Sequence, residues 1–215
     1  MQANAPLISH LLPQHGRLFV LSGPSGSGKD AVLTALMKAA DAPQGIERCV
    51  TATTRPPREG EVHGKDYWFL TREEFENGIA QGRFLEYALY NGAWYGTPRP
   101  WVEEHTAAGI DVLLKIEVQG ARQVKQKWPD AILVFLAPPS WEELERRIRS
   151  RASDDDTAIR NRLAIARTEL EAAVEYTYLI VNDVLAEAAS ALRAIILAER
   201  CRIAPAGGPQ EAGRR

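Results

Sequence analysis

A glycine-rich loop that ends in a lysine is the first group whose residue types and spacing indicate chemistry. Its residues match the phosphate-binding pattern G-x-x-x-x-G-K: Gly23, Pro24, Ser25, Gly26, Ser27, Gly28 and Lys29. The apolar run at 17–22 predicts a buried strand before the loop, and the apolar spacing of 30–40 predicts a helix after it. In that context the backbone N–H groups cradle phosphate, and the lysine meets the β- and γ-phosphates. We therefore expect the loop to bind ATP, with Lys29 as a catalytic residue.

Asp30 departs from the common form of this loop. The residue after the lysine is usually Ser or Thr, whose hydroxyl binds Mg²⁺. One reading is local, because an acid in the first turn of a helix is stabilising by roughly 0.3–1 kcal/mol. The other reading is that the Asp30 carboxylate reaches the metal or its water shell. The sequence favours neither reading over the other.

Two arginines flank a pair of prolines at Arg55, Pro56, Pro57 and Arg58. Consecutive prolines favour polyproline II geometry, which places both arginines on one face, roughly 9 Å apart. Their guanidinium groups can then converge on one phosphate. A solvated loop with two surface arginines is the plainer alternative.

Several other segments, taken together with these arginines, resemble the guanylate kinase family. In sequence order they are 51–61, 64–67, 84–86, 94–98, 117–121, 137–140 and 181–183. The resemblance covers nearly the whole chain, from about Gly16 to Arg200, and the order and spacing of the segments are specific to that family. It implies a P-loop NTPase-type fold and a kinase that transfers a phosphoryl group from ATP to GMP.

The resemblance also implies which residues bind GMP. Four would hold its phosphate: Arg55, Arg58, Tyr67 and Tyr95. Glu86 would accept hydrogen bonds from guanine N1–H and the 2-amino group. Thr51 and Thr97 would contact the guanine edge, and Glu117 would stand where the family has an aspartate near the base. The chemistry agrees, since a carboxylate matches two adjacent donors that adenine lacks, and such a site rejects the wrong base by up to about 10⁴-fold.

On the ATP side, the resemblance implies three arginines that close onto the phosphates: Arg147, Arg151 and Arg162. It also implies that Asn182 lies near the adenine. Arg147 and Arg151 are four residues apart on a predicted helix, so they share a face; a solvated basic helix face is the alternative for that pair. ATP is expected as the co-substrate with Mg²⁺, and no residue is assigned as a metal ligand.

Lys115 is a second departure from the family pattern. The strand before 118–121 typically carries two acids, and here the first of them is replaced by Lys115. Our hypothesis is that Asp30 and Lys115 form an ion pair across the loop, in place of the usual hydroxyl–carboxylate contact. The alternative is two unrelated substitutions. Mg²⁺ would then be held mostly by ATP oxygens and water, as it commonly is.

Strand-like and helix-like segments alternate along the chain, which predicts an α/β fold with a parallel sheet flanked by helices. The further predicted strands of this sheet are 112–116, 132–136 and 178–181, and the further predicted helices are 140–151, 158–174 and 186–200. Ser140 and Glu143 form a capping-box pattern at the start of helix 140–151.

The region 47–103 differs, because it is dense in Gly, Pro and aromatic residues, with short strands at 67–70 and 84–89. We expect it to be an inserted mixed α/β GMP-binding lobe. The core would then comprise 16–46, 104–137 and 168–203, with a small helical lid at about 138–167. Residues 1–15 are expected to be a lead-in, and 204–215, rich in Gly, Pro and Ala, a disordered tail.

Composition argues against several other classes. The chain has 215 residues, with 26 basic and 28 acidic side chains. A net charge of −2 gives no reason to expect nucleic acid or an anionic membrane as a partner. Cys49 and Cys201 lie in no metal-binding pattern and fit a reducing cytoplasm. The sequence shows no signal-peptide pattern and no membrane-length apolar stretch, and it carries no signal that separates a monomer from a homo-oligomer.

Two other functions fit part of the pattern. Ribose 1,5-bisphosphate phosphokinases resemble this chain in the core and in the Gly-Lys-Asp end of the loop, but a sugar-phosphate acceptor has no use for Glu86. A non-catalytic guanylate-kinase-like interaction module is the other alternative. Such modules tend to lose the phosphate loop, whereas this chain keeps its glycines and Lys29.

Overall fold

The computed structural model describes residues 15–90, 92–150 and 156–203, and two sheets organise them. The larger sheet contains β1 (Leu18–Ser22), β2 (Ile46–Arg48), β7 (Asp111–Lys115), β8 (Ile132–Ala137) and β9 (Tyr178–Val181). All five strands are parallel, in the order β2-β7-β1-β8-β9. The predicted parallel sheet is therefore confirmed. The tail 204–215, the lead-in up to residue 14 and Arg151 lie outside the described residues.

Helices cover both faces of this sheet. One face packs on α1 (Lys29–Lys38) and α7 (Leu185–Arg200), and the other packs on α3 (Arg99–Ala107) and α4 (Val118–Lys127). Side chains of β1 alternate between the two layers: Phe19 and Leu21 point to the first, and Leu18 and Val20 to the second. Burial on both faces explains why the strands read as continuous apolar runs.

The smaller sheet fits an inserted lobe. It contains β3 (Ala52–Thr53), β4 (Trp68–Phe69), β5 (Phe84–Tyr90) and β6 (Ala93–Pro98), with α2 (Arg72–Ala80) packed on it. The sheet is mixed, because β3 and β4 are parallel whereas β6 is antiparallel to β3 and β5. Phe75 of α2 stacks on Phe84 with ring centroids 4.2 Å apart. These elements span 52–98, inside the predicted lobe of 47–103.

Two further helices, α5 (Trp141–Arg149) and α6 (Asp156–Glu171), share a small apolar cluster of their own. Half of the predicted capping box of α5 is confirmed, since the Ser140 hydroxyl accepts from the Glu143 N–H at 3.2 Å. The Glu143 carboxylate pairs with Arg146 and Arg147 instead. The prediction of one helix over 158–174 is corrected, because α6 ends at Glu171 and a 3₁₀ turn, Ala172–Glu175, follows. That tighter turn brings the Thr177 N–H onto the Leu133 carbonyl at 3.0 Å, which begins β9.

The remaining predicted elements agree closely with the structure. The strand predictions 17–22, 112–116, 132–136, 178–181 and 84–89 are each confirmed within one residue at either end. The short strand predicted at 67–70 is narrower, at Trp68–Phe69. None of the helices in the described ranges is both long enough and apolar enough to cross a membrane.

Candidate active site

The carboxyl edge of the parallel sheet gathers most of the predicted ATP-side residues. The phosphate loop follows β1, Lys115 ends β7 and Asn182 follows β9. Lys115 lies directly opposite Leu21 in the β1–β7 register, beside the start of the loop. Ligands of open α/β sheets bind at this edge, so the topology itself brings these residues together.

The phosphate loop requires glycine at Gly28. Its φ of 96° is in the left-handed region, and a Cβ there would stand 2.3 Å from Asn182 Nδ2. That amide nitrogen donates to the Ser27 carbonyl at 2.7 Å. The buried Asn182, which follows β9, thus supports the loop through this hydrogen bond. Its predicted place near adenine stays a prediction.

Lys29 lies against the loop that precedes it. Its ammonium donates to the carbonyls of Gly23 at 2.6 Å and Pro24 at 3.2 Å. It also pairs with Glu117 Oε2 at 3.2 Å. Glu117 thus lies within reach of the loop lysine, and its predicted position near the base stays a prediction. Phosphate oxygens can replace all three of these acceptors, because each bonds the same ammonium.

Two of the predicted arginines reach the loop from α5 and α6. Arg162 Nη2 donates to Ser25 Oγ at 2.9 Å. Arg147 Nη2 donates to the Asn182 carbonyl at 3.2 Å, and its Nε pairs with Glu143 at 2.7 Å. Glu143 was not predicted to orient an arginine, although its i, i+4 spacing from Arg147 is a signal for such a pair.

Glu169 of α6 is a further carboxyl group at the loop that the sequence did not single out. Burial, and then the charge of Glu117, raise its pKa to about 7, although Lys29 and a hydrogen bond from the Ser25 backbone act in the opposite direction. Ser25 therefore contacts α6 at two positions, Arg162 and Glu169. Their separation of seven residues places both on one helical face.

Three of the four predicted acceptor-phosphate side chains, Arg55, Tyr67 and Tyr95, form a cluster in the inserted lobe, and the Arg58 side chain is exposed beside them. The Arg55 guanidinium lies 5.4 Å from the centre of the Tyr67 ring, and the Tyr67 and Tyr95 rings are 6.1 Å apart. Glu61 bonds the Arg55 side chain and the Arg58 backbone, because Oε1 accepts from Arg55 Nη2 at 2.8 Å and Oε2 accepts from the backbone N–H of Arg58 at 2.7 Å. This organising carboxylate was within a recognised segment, but no pattern in the sequence marked its partners.

Glu86 is a buried carboxyl group in the same lobe. It is 5% exposed, and its Oε1 accepts from the buried hydroxyl of Thr97 at 2.7 Å. Burial raises the pKa of Glu86 to about 7, against the opposing effect of that hydrogen bond. Gly120 of α4 leaves room for the carboxylate, since a Cβ there would stand 2.7 Å from Glu86 Oε2. Thr51 accepts from the Trp68 N–H through its backbone carbonyl at 2.9 Å.

The hypothesis of an ion pair between Asp30 and Lys115 is confirmed. Lys115 Nζ is 2.7 Å from Asp30 Oδ1, and Arg48 Nη2 is 3.9 Å from the same oxygen. Desolvation disfavours the Asp30 carboxylate, but the hydrogen bond and charge of Lys115, with the charge of Arg48, hold its pKa below the usual range. Asp30 also contributes, after burial and Tyr95, to the raised pKa of Tyr67. The loop and the arginine–tyrosine cluster are therefore electrostatic neighbours.

The side chains at position 30 and at the end of β7 do not fit a protein-held Mg²⁺. Asp30 is a carboxylate, but two cations already share its Oδ1, and the Lys115 ammonium cannot ligate a metal. Nowhere in the described ranges do three or more His, Cys, Asp or Glu side chains come together in a group that could hold a metal ion.

The fold and the site define a phosphate-loop kinase. A loop for one set of phosphates, contacted by arginines of two helices, neighbours a separate lobe that carries its own cationic cluster. Comparison with known proteins narrows this class. The guanylate kinase family model matches residues 15–199, so the chain belongs to the guanylate kinase family.

Individual relatives agree with this assignment. The guanylate kinase of Desulfitobacterium hafniense (strain Y51) is 47% identical over 189 residues, covering 88% of this chain and 93% of that protein. The guanylate kinase of Bacillus subtilis (strain 168) is 46% identical over 197 residues, covering 90% and 96% respectively. The crystal structure of guanylate kinase from Anaplasma phagocytophilum matches with a TM-score of 0.71 at 33% identity, covering 89% of this chain and 90% of that one.

Proposed function

We propose that this chain transfers the γ-phosphoryl group of ATP to GMP, giving ADP and GDP, and so serves purine nucleotide metabolism and GMP recycling. The observation that carries the proposal is the buried Glu86 carboxyl group, held by Thr97 in the lobe that also carries Arg55 and Tyr67. A buried carboxylate with one oxygen oriented and the other beside a glycine suits two adjacent guanine donors.

On the acceptor side, the residues divide between phosphate and base. Arg55, Arg58, Tyr67 and Tyr95 hold the GMP phosphate. Glu61 orients the Arg55 guanidinium before GMP arrives and bonds the backbone N–H of Arg58. Orienting Arg55 in advance reduces the entropy lost on binding. Glu86 must be ionised to accept from both N1–H and the 2-amino group. Thr51, Thr97 and Glu117 complete the surroundings of the base.

On the donor side, loop N–H groups and Lys29 bind the ATP phosphates, with Asn182 behind the loop and towards the adenine. Arg147, Arg151 and Arg162 neutralise the phosphates when residues 138–167 close as a lid over a core formed by 16–46, 104–137 and 168–203. The contact of Arg162 with Ser25 supports this role, because it already joins α6 to the loop.

The reaction needs positioning more than covalent help. An anionic oxygen of the GMP phosphate attacks the γ-phosphorus, and the bond from that phosphorus to the bridging oxygen breaks, so that ADP leaves with the electron pair. No general base is needed for an acceptor that is already ionised. Alignment and neutralisation lower the barrier, and lid closure excludes the water that would hydrolyse ATP.

The metal ion and the cellular location complete the proposed function. Mg²⁺ supplies neutralising charge when it arrives with ATP, and we propose that nucleotide oxygens and water hold it rather than side chains. Cys49 and Cys201 are free thiols, which is consistent with a reducing cytoplasm, where ATP and GMP are present.

The test is a coupled assay of ADP release with ATP and one of three acceptors: GMP, AMP or ribose 1,5-bisphosphate. We expect turnover with GMP, and at least about 10³-fold lower kcat/KM with AMP. Turnover with ribose 1,5-bisphosphate in place of GMP would assign the sugar-phosphate activity. Binding of ATP without turnover of any acceptor would leave an interaction module as the better description.

A further inference from the structure

Two ion pairs of opposite polarity lie side by side where α1 begins. Lys29 pairs with Glu117 at 3.2 Å, and the next residue, Asp30, pairs with Lys115 at 2.7 Å. The partners are two residues apart at the end of β7. The first pair belongs to the phosphate loop already described. The second contains the Lys115 ammonium, to which the proposed function assigns no role.

The position of the Lys115 ammonium is chemically specific. In phosphate-loop enzymes the side chain after the loop lysine ligates Mg²⁺, which bridges the β- and γ-phosphates. Here that side chain is Asp30, and the cation bound to it is the Lys115 ammonium. The ammonium therefore bonds the side chain at the position that usually ligates the metal.

The formal charge at this position is consistent with such a replacement. Asp30, Lys115 and Arg48 together carry one negative and two positive charges, a net +1. The usual hydroxyl and strand carboxylate sum to −1, whereas Asp30 and Lys115 sum to zero. This chain is therefore less anionic at these two positions before any metal binds.

Lys115 can reach a phosphate without losing its partner. An ammonium has three N–H donors, so it can bond a phosphate oxygen while it remains paired with Asp30. Its side chain is 21% exposed, whereas that of Asp30 is 70% exposed, so solvent and ligand have access to the pair. Asp30 also interacts electrostatically with Lys29 of the loop and with Tyr67 of the inserted lobe.

We propose that Lys115 is a phosphate-binding residue whose ammonium takes the place of a protein-held Mg²⁺ at the γ-phosphoryl group, so that nucleotide binding depends only weakly on the metal. The proposal rests on the proposed function, in which the γ-phosphoryl group of ATP is the group transferred. Asp30 is a positioning residue in this arrangement, since it acts through Lys115 and not on the nucleotide.

The test measures binding rather than turnover. Calorimetric titrations of the full chain compare ADP with the β,γ-imido analogue of ATP, each in EDTA and in excess Mg²⁺. We expect wild-type protein to bind the analogue in EDTA within about fivefold of its affinity in Mg²⁺. Lys115→Met should weaken analogue binding in EDTA about tenfold or more, the value of one charge-assisted hydrogen bond, and ADP binding less than about twofold.

Matched variants separate the proposal from its alternatives. Lys38→Met removes an exposed lysine at the far end of α1 and should leave both affinities unchanged. The double variant Asp30→Ser with Lys115→Asp restores the common pattern and should make analogue binding depend on Mg²⁺ by about tenfold or more. Asp30→Asn alters an exposed side chain, keeps an oxygen that can accept from the Lys115 ammonium and removes the opposing negative charge, so it should tighten analogue binding in EDTA.

Three results would overturn the proposal: unchanged analogue affinity for Lys115→Met in EDTA, equal losses for ADP and the analogue, or weaker binding by Asp30→Asn. The last result remains available if Lys115→Met fails to fold. GMP is absent from these titrations, so their outcome is independent of the acceptor assay that tests the proposed function.

Discussion

The buried carboxylate of Glu86 lowers the stability of the protein but favours GMP binding, and the variant Glu86→Gln separates the two effects. Burial raises its pKa to about 7 in the folded protein, against about 4.3 in an unfolded chain. The unfolded chain therefore releases this proton first as the pH rises. Stability is lost between about pH 4.3 and 7, and the loss reaches roughly 3–4 kcal/mol above that range.

Replacing Glu86 by Gln removes this penalty while keeping an oxygen for the Thr97 hydroxyl. At about pH 8 we expect the free energy of unfolding to rise by about 2 kcal/mol, which raises Tm by roughly 4–8 °C. At about pH 5 most of the difference should vanish, because Glu86 of the folded wild-type protein is then protonated.

The same change should damage GMP binding. The amide offers one acceptor where the carboxylate offers two, and its NH₂ group opposes a guanine donor. Loss of about 3 kcal/mol predicts a GMP KM about 100-fold higher. Binding of ATP should be unchanged, because Glu86 lies in the inserted lobe and not at the loop.

Thermal unfolding at the two pH values, with steady-state kinetics at the higher one, checks both effects. Glu76→Gln is the matched control, since Glu76 is an exposed carboxylate of the same lobe that pairs with Arg72. A lower Tm for Glu86→Gln at about pH 8, or equal losses of GMP and ATP binding, would refute the reasoning and make Glu86 a structural residue.

Three further predictions concern neighbouring features. Gly120→Ala places a Cβ 2.7 Å from Glu86 Oε2, so GMP KM should rise by roughly tenfold or more, and an unchanged KM would contradict it. Arg55→Met should weaken GMP binding by about tenfold or more. Glu61→Gln should weaken it by less, because Glu61 orients Arg55 and does not itself bind GMP; a larger loss for Glu61→Gln in a GMP titration would contradict this order. Asp111→Asn weakens the ion pair between the buried Asp111 and the partly exposed Arg200 at the opposite edge of the sheet, so urea unfolding should show a loss of about 1–2 kcal/mol while kcat of the folded fraction is unchanged.

The elements of the large sheet were predictable because each carries its own signal. Strands buried on both faces are continuous apolar runs, and the phosphate loop is a local pattern between the first strand and helix. The paired change at Asp30 and Lys115 was predictable as well, because the residue at the end of β7 was expected to face the phosphate loop and the two changes have opposite charge. The short strands β2 and β3 were not predicted, because strands of two or three residues depend on partners distant in sequence. The strand β6 was also missed, although it forms a hairpin with β5.

Several site contacts escaped prediction for a related reason. Glu169 meets Ser25 only because α6 packs over the loop, and no local spacing encodes that approach. The contact at Gly120 escaped prediction for the same reason. A glycine within a helix indicates that another group approaches its backbone closely, but the sequence does not show that this group is Glu86 of β5. Helix propensity also failed to mark the end of α6, where packing of Ala172 against Phe135 and Val118 favours a tighter turn.

The most direct measurement of phosphoryl transfer to GMP is ³¹P NMR of a solution that contains ATP, Mg²⁺, GMP and the purified chain. We expect ADP and GDP resonances to grow together in equal amounts while inorganic phosphate stays at the level of an enzyme-free sample. Release of inorganic phosphate without GDP, or no change in any resonance, would contradict phosphoryl transfer to GMP.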